Sequence, residues 1–333
     1  MLDFIPTIAL AGIAIVIGIG GLVWSADRFV AGAASIAESF GIAPIIVGLT
    51  IVSFGTSAPE VMVSLMAAID GTGELAVGNA LGSNIANIGL VLGITLLITR
   101  IPVALNLIKH EGSVLFSLSI LAGIFLFDAQ ISKTEGWILL ALIVPTMWYL
   151  AIVKQKDHSP EELAEELEAE IDHYTPGMAV VWFIVGLVAL VASSKVLVWG
   201  AVTSAEFYGI SPLIIGLSIV AIGTSLPELA ASVISALRGH HDIAIGAVVG
   251  SNIFNLLAVM SIPGVFGSAA MESAVFNRDY MVMLSLTALL FIAMGIAYKK
   301  YKESAHLGKL SGALLLSIYI GYMLLIGQSQ LAA

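Results

Sequence analysis

Cysteine is absent from the chain, which excludes disulfides, thiolate metal centres and cysteine catalysis. Charge is scarce as well. Only 11% of residues are Asp, Glu, Lys or Arg, where a soluble domain carries roughly 25%. The Lys and Arg residues form no stripe, so nothing offers a surface to nucleic-acid phosphates. No His-Glu-x-x-His occurs, which removes the helix a membrane metalloprotease needs, and serine-based catalysis lacks a plausible intramembrane base. The period-2 alternation of an outer-membrane barrel is missing. Met1-Leu-Asp-Phe places no basic residue ahead of the first apolar run, which therefore reads as a retained span and not as a cleaved signal peptide.

What the chain has is apolar length. Hydrophobic residues make up 59% of it, and runs of ~20 residues, enough to cross the hydrocarbon core, recur throughout. The expected fold is an all-α polytopic membrane protein with ten transmembrane helices, near 5–37, 43–69, 75–98, 111–128, 135–153, 177–206, 211–237, 243–264, 280–298 and 309–328. The first and sixth exceed what the bilayer requires and are expected to tilt. With the N-terminus outside, the cytoplasmic loops hold Arg100, Lys109, Lys154, Lys156, Arg238, Lys299, Lys300, Lys302 and Lys309, and the outer loops only Lys133 and Arg278. That bias puts both termini outside a plasma (cell inner) membrane. The connection 154–176 is the longest, and much of the formal charge of −10 lies in it. Ser159-Pro160-Glu161-Glu162 reads as an N-cap, a Pro at N1 and a capping Glu, opening a short helix to about Asp172. It reads as a solvated cytoplasmic linker, without the Asp-x-Asp-x-Asp-Gly order of an EF-hand.

Shifted by 168 residues, the chain matches itself. Residues 41–60 read GIAPIIVGLTIVSFGTSAPE and residues 209–228 read GISPLIIGLSIVAIGTSLPE, identical at thirteen of twenty positions. The match resumes at Gly78/Gly246, at Gly82-Ser83-Asn84-Ile85 against Gly250-Ser251-Asn252-Ile253, and at Asn87/Asn255. The chain divides into a first five-helix repeat (1–153), the acidic linker (154–176) and a second five-helix repeat (177–333). Five spans per copy means that the second copy enters the membrane from the opposite side. The two are then inverted about an axis in the membrane plane, as in many secondary transporters.

Each copy carries one intramembrane glutamate, Glu60 and Glu228. A carboxylate at that depth costs ~2.5–3.5 kcal/mol on insertion scales and needs a partner or a cation. Neither span has a Lys or Arg close by in sequence, so a shared metal ion is the expected partner. Pro59 and Pro227 precede the glutamates and should break both helices beside the hydroxyls of Thr56, Ser57, Thr224 and Ser225. Carbonyls near Ser53 to Gly55 and Ala221 to Gly223 are freed as further oxygen ligands. Ser83 and Asn87 are four apart and share a helix face, as do Ser251 and Asn255. Asn84 and Asn252 project elsewhere and are expected to cap broken helix ends, while Gly78, Gly82, Gly246 and Gly250 permit close helix contact. The donor set is all oxygen, which suits hard cations such as Na⁺ and Ca²⁺. His240 and His241 read as surface residues away from it.

These residues resemble the cation/Ca²⁺ exchanger (Na⁺/Ca²⁺ exchanger) superfamily, whose members carry two α-repeats. Gly-Thr-Ser-Ala-Pro-Glu (55–60) with Gly-Ser-Asn-Ile-Ala-Asn (82–87) is similar to the first repeat, and Gly-Thr-Ser-Leu-Pro-Glu (223–228) with Gly-Ser-Asn-Ile-Phe-Asn (250–255) to the second. The resemblance implies antiport of Na⁺ against Ca²⁺, three for one in the typical member. It implies Glu60, Glu228, Thr56 and Thr224 as Ca²⁺ ligands, with Na⁺ sites at Ser57, Ser83, Ser225 and Ser251 and the backbone oxygens of Ser53 and Ala221. Asn87 and Asn255 complete the cluster, and the long first and sixth helices slide past the rest to switch access. Several relatives, K⁺-dependent exchangers among them, have Asp where this chain has Asn255. With two carboxylates, the chain is expected to be K⁺-independent and electrogenic.

The expected function is secondary active exchange by alternating access, in which Ca²⁺ and the full Na⁺ complement exclude each other from one site. No cofactor is expected. The partners are the transported Ca²⁺ and Na⁺ and the lipid bilayer, with no nucleic acid and no obligatory protein. H⁺-coupled Ca²⁺ exchange is the alternative, but protons would leave the extra hydroxyls superfluous. A cation channel would need a continuous pore, usually with oligomeric symmetry, whereas this symmetry is internal.

Overall fold

The computed structural model describes residues 4–39, 57–103, 105–157, 174–237, 241–267 and 269–331. Within them the chain runs α1 (Phe4–Ser39), α2 (Ala58–Ile69), α3 (Gly73–Ile98), β1 (Ile101–Pro102), α4 (Leu105–Leu126), β2 (Gln130–Ile131) and α5 (Lys133–Asp157). It continues as α6 (Pro176–Tyr208), α7 (212–224), α8 (Leu226–Leu237), α9 (241–266), β3 (Ala269–Ala270), α10 (Val275–Tyr301), β4 (His306–Leu307) and α11 (Lys309–Leu331). Among the described residues nine helical stretches are long and apolar enough to cross a membrane, and α2 is a shorter apolar helix. This is a multi-pass helical membrane protein. The upstream half of the expected second span and the expected linker helix at 159–172 lie outside the described residues.

The 168-residue repeat is visible element by element. α2 at 58–69 corresponds to α8 at 226–237, and α3 and α9 begin at 73 and 241. The Ser64 hydroxyl donates to the Ala76 carbonyl (3.5 Å), and its counterpart Ser232 donates to Ala244 (3.3 Å). At the centre, the Asn84 amide donates to the carbonyl of Asn252 while the Asn252 amide donates to the carbonyl of Asn84, both at 3.3 Å. Such an exchange marks the pseudo-two-fold axis. It also corrects the expectation for these asparagines: they join the two copies and cap no helix end.

In lipid, helices gain little from hiding apolar faces, so small residues and polar bonds decide packing. α3 and α9 are the central helices, with 78% and 83% of their apolar stretches buried, against 17–33% for α1, α4, α5, α6, α10 and α11. Gly78 and Gly82 of α3 meet the backbone of α7 at Leu213 and Leu217, as their spacing predicts. α1 and α6 form a separate pair. Gly18 meets Leu197, Gly186 meets Phe29, and Gly32 meets Ala179 and Phe183, so the two long helices run antiparallel. The Arg28 guanidinium bonds the Tyr174 hydroxyl (2.5 Å) and stacks 5.3 Å from the Trp182 ring at one end of that pair. Asp27 lies 3.6 Å from Arg28.

Two short antiparallel ladders join the copies at opposite ends of α4. β1 pairs β4 (Ile101 with Leu307), and β2 pairs β3 (Ile131 with Ala269). Within α10, Arg278 forks onto the buried Asp279 (2.7 and 3.0 Å), and two bonds tie this pair to α11: the Tyr322 hydroxyl donates to Asp279 (2.9 Å) and Arg278 donates to Ser329 (3.3 Å).

Candidate functional site

The site grows from a break in the backbone and from its counterpart at the start of α2. Pro227 supplies no N–H to the turn before it, and α7 ends at Thr224. Ser225 stands between helices at φ −84°, ψ 4°, and α8 restarts at Leu226. Ser57 holds the matching conformation, φ −89°, ψ 5°, before α2. Glu60 and Glu228 then fall in the first turns of α2 and α8, where the positive end of the helix dipole favours an anion. The α3 and α9 faces are shaped by a different irregularity. A π-helical turn begins at Asn87 (Asn87–Leu92) and another at Asn255 (Asn255–Val259). Isolated π turns are rare and recur at functional sites.

Both carboxylates are buried, Glu60 at 0% and Glu228 at 1% exposure. Neither has a cationic side chain against it among the described residues. The Ser251 hydroxyl donates to Glu228 Oε1 at 3.2 Å. Glu228 Oε2 and both oxygens of Glu60 have no hydrogen-bond partner among the described residues. The Asn87 and Asn255 side-chain oxygens and the Ser225 hydroxyl share that condition. A buried polar group left unsatisfied costs about 1–3 kcal/mol, and more when charged. A set of buried carboxylate, amide and hydroxyl oxygens is of the kind that fits a hard cation.

The remaining contacts cross between the copies. Ser57 and Ser251 hydroxyls lie 3.0 Å apart, and Ser83 and Thr224 hydroxyls 3.4 Å apart. The Asn87 amide nitrogen donates to Ser251 (3.2 Å) and to Asn252 Oδ1 (3.0 Å), which leaves its oxygen as the end without a partner. The Ala221 carbonyl accepts the Ser225 N–H (3.1 Å), and the Thr224 hydroxyl oxygen lies 3.4 Å from it as a longer, alternative contact. These contacts link Ser57, Ser83, Asn87, Ala221, Thr224, Ser225, Glu228 and Ser251, with Glu60 joined through Asn79, and Asn255 is buried at the start of the second π turn. Ser53 and Thr56 lie outside the described residues. His241 opens α9 and is half-buried, not a surface residue; His240 lies outside the described residues.

Sequence reasoning passed over Asn79. It is fully buried on α3, one turn before Ser83, and its amide nitrogen donates to the Glu60 carbonyl (3.1 Å) and the Ser64 hydroxyl (3.0 Å). Its oxygen accepts the Thr224 hydroxyl at 3.2 Å. Extending the Ser83/Asn87 stripe by four residues would have found it.

Comparison with known proteins gives a consistent picture. The family model described as sodium/calcium exchanger protein matches residues 10–151 and 178–327. The chain is 44% identical to CaxA of Alkalimonas amylolytica over 322 residues, covering 96% of this chain and 99% of that protein. It is 36% identical to the inner membrane protein YrbG of Escherichia coli, covering 95% and 97%. It is 27% identical to the sodium/calcium exchanger MaX1 of Methanosarcina acetivorans, covering 94% and 97%. Among solved structures, the sodium-calcium exchanger NCX_Mj superposes with a TM-score of 0.63 at 30% identity, covering 95% of this chain and 98% of that one.

Proposed function

The chain belongs to the sodium/calcium exchanger family of cation/Ca²⁺ antiporters, and from that premise we propose that it exchanges Na⁺ for Ca²⁺ by alternating access. The observation that carries the reading is the pair of buried carboxylates, Glu60 and Glu228, with no cationic partner among the described residues and a surround of oxygen donors. Ca²⁺ binds Glu60 and Glu228 with Thr56 and Thr224. Na⁺ uses Ser57, Ser83, Ser225 and Ser251 and the backbone oxygens of Ser53 and Ala221, and Asn87 and Asn255 complete the cluster. Protonation of two carboxylates would need none of the hydroxyls, and their number favours Na⁺ over H⁺ as the counter-ion.

Coupling follows from electrostatics. Two carboxylates cannot hold Ca²⁺ and a full Na⁺ complement together. Without a cation they are unpaired buried charges, which disfavours the occluded state and limits leak. The repeats 1–153 and 177–333 supply the two inverted halves, and the acidic linker 154–176 lies on the cytoplasmic side with both termini outside. The α1/α6 pair is the part that slides.

The test is ⁴⁵Ca²⁺ uptake into Na⁺-loaded proteoliposomes at clamped pH. Uptake should require the outward Na⁺ gradient and vanish with equal Na⁺ on both sides. Uptake indifferent to Na⁺ but driven by an imposed pH gradient would replace the Na⁺ reading with H⁺ coupling. Uptake driven by neither would remove Ca²⁺ as the substrate.

A further inference from the structure

The two copies are not equivalent at the site, and the difference is Asn79. Its counterpart 168 residues later is Ala247, a methyl group that offers no hydrogen bond. The direction of every bond around Asn79 is determined. The Glu60 carbonyl can only accept, so the nitrogen of the Asn79 amide faces it at 3.1 Å. Ser64 gives its proton to the Ala76 carbonyl (3.5 Å) and accepts from the same Asn79 nitrogen at 3.0 Å. The oxygen end is thereby turned toward Thr224, which donates to it at 3.2 Å, with the Ser83 hydroxyl at 3.5 Å.

A threonine hydroxyl has one proton and two lone pairs. When the proton is committed to Asn79, both lone pairs of Thr224 are free for a cation. Without Asn79, that proton turns to the Ala221 carbonyl or the Ser83 hydroxyl, each 3.4 Å away, or to the Glu60 carboxylate beside it, and the oxygen loses its fixed aim. We propose that Asn79 is a positioning residue of the first repeat that orients the Thr224 hydroxyl of the second repeat toward the transported cation and ties it to the Glu60 backbone. The inference rests on the assignment of Thr224 as a cation ligand. It makes the two halves of the site unequal: the Thr224 half is held by Asn79, and Ala247 gives no such hold to the other.

The test is a double-mutant cycle on Ca²⁺ uptake by the full chain in proteoliposomes, comparing wild type, Asn79→Ala, Thr224→Val and the double variant. Asn79→Ala should raise the half-saturating Ca²⁺ concentration about tenfold, the weight of one or two neutral hydrogen bonds, with the maximal rate within about twofold of wild type. In the Thr224→Val background the same substitution should add nothing. Ser64→Ala, which removes only the far partner of Asn79, should leave the half-saturating concentration unchanged. An unchanged value in Asn79→Ala, or effects of Asn79→Ala and Thr224→Val that multiply, would overturn the proposal, because a residue that only stabilises the fold acts independently of Thr224. Should Asn79→Ala fail to fold, Asn79→Ser keeps the position polar while its hydroxyl falls short of Thr224, and it carries the same comparison. Wild-type protein that takes up no Ca²⁺ would instead sink the transport reading, and Thr224→Val without effect would remove the ligand assignment and Asn79's role with it.

Discussion

At the scale of single residues, everything turns on Glu60 and Glu228. Gln has nearly the shape of Glu and removes only the charge. Either Glu60→Gln or Glu228→Gln should therefore lower Ca²⁺ uptake about a hundredfold or more, since a charge-assisted contact is lost at a buried ion. Proteoliposome flux measures this directly, and near-normal uptake in either variant would sink the site. Both glutamates were legible without coordinates, because a carboxylate in an apolar run stands out and this one occurs twice. Asn84 and Asn252 were legible as repeated but not as partners, since that pairing depends on how the copies meet. Asn79 was hidden by the same comparison that exposed the glutamates: searching for what repeats discards a residue whose counterpart is Ala247.

At the scale of elements, Pro227 announced the break between α7 and α8, and Ser57 and Ser225 hold nearly the same dihedrals ahead of the two prolines. The π turns at Asn87, Gly216 and Asn255 were not legible. No residue type demands an extra residue in a helical turn; the demand comes from neighbours that must be met. One such neighbour relation is testable. A Cβ on Gly82 would stand 2.7 Å from the Ala221 Cβ and 2.7 Å from the Leu217 Cα, and backbone atoms cannot yield as a flexible side chain can. Gly82→Ala should push α3 from α7 and draw Ser83 away from Thr224. The expected cost is about 1–3 kcal/mol, as for other overpacked contacts, read as a lower thermal midpoint together with weaker stabilisation by added Ca²⁺. A variant that melts and responds to Ca²⁺ like wild type would show that this contact has room to spare.

At the scale of the whole molecule, the proposed alternating access rests on the internal repeat, and the number of carboxylates would set the charge each cycle moves. The repeat was legible because Gly-Thr-Ser-x-Pro-Glu is too specific to recur by chance among apolar helices. The cross-copy ladders β1–β4 and β2–β3 were not, since two-residue strands leave no pattern. With Asn at both 87 and 255, the proposed site would carry two negative charges, enough for one Ca²⁺ and one short of three Na⁺. If three Na⁺ leave a vesicle for each Ca²⁺ that enters, one net positive charge leaves per cycle. A potential positive inside should then speed uptake and one negative inside should slow it. One charge moved through 100 mV is worth about 2.3 kcal/mol, a roughly 40-fold shift in the Ca²⁺ gradient the exchanger can sustain. The potential is set with a K⁺ ionophore and opposed K⁺ gradients. The same gradients without ionophore should leave uptake unchanged, because no third carboxylate is present to recruit K⁺. Uptake that ignores the potential would mean an electroneutral stoichiometry, and uptake that rises with K⁺ alone would mean that two carboxylates are enough for a K⁺-dependent cycle.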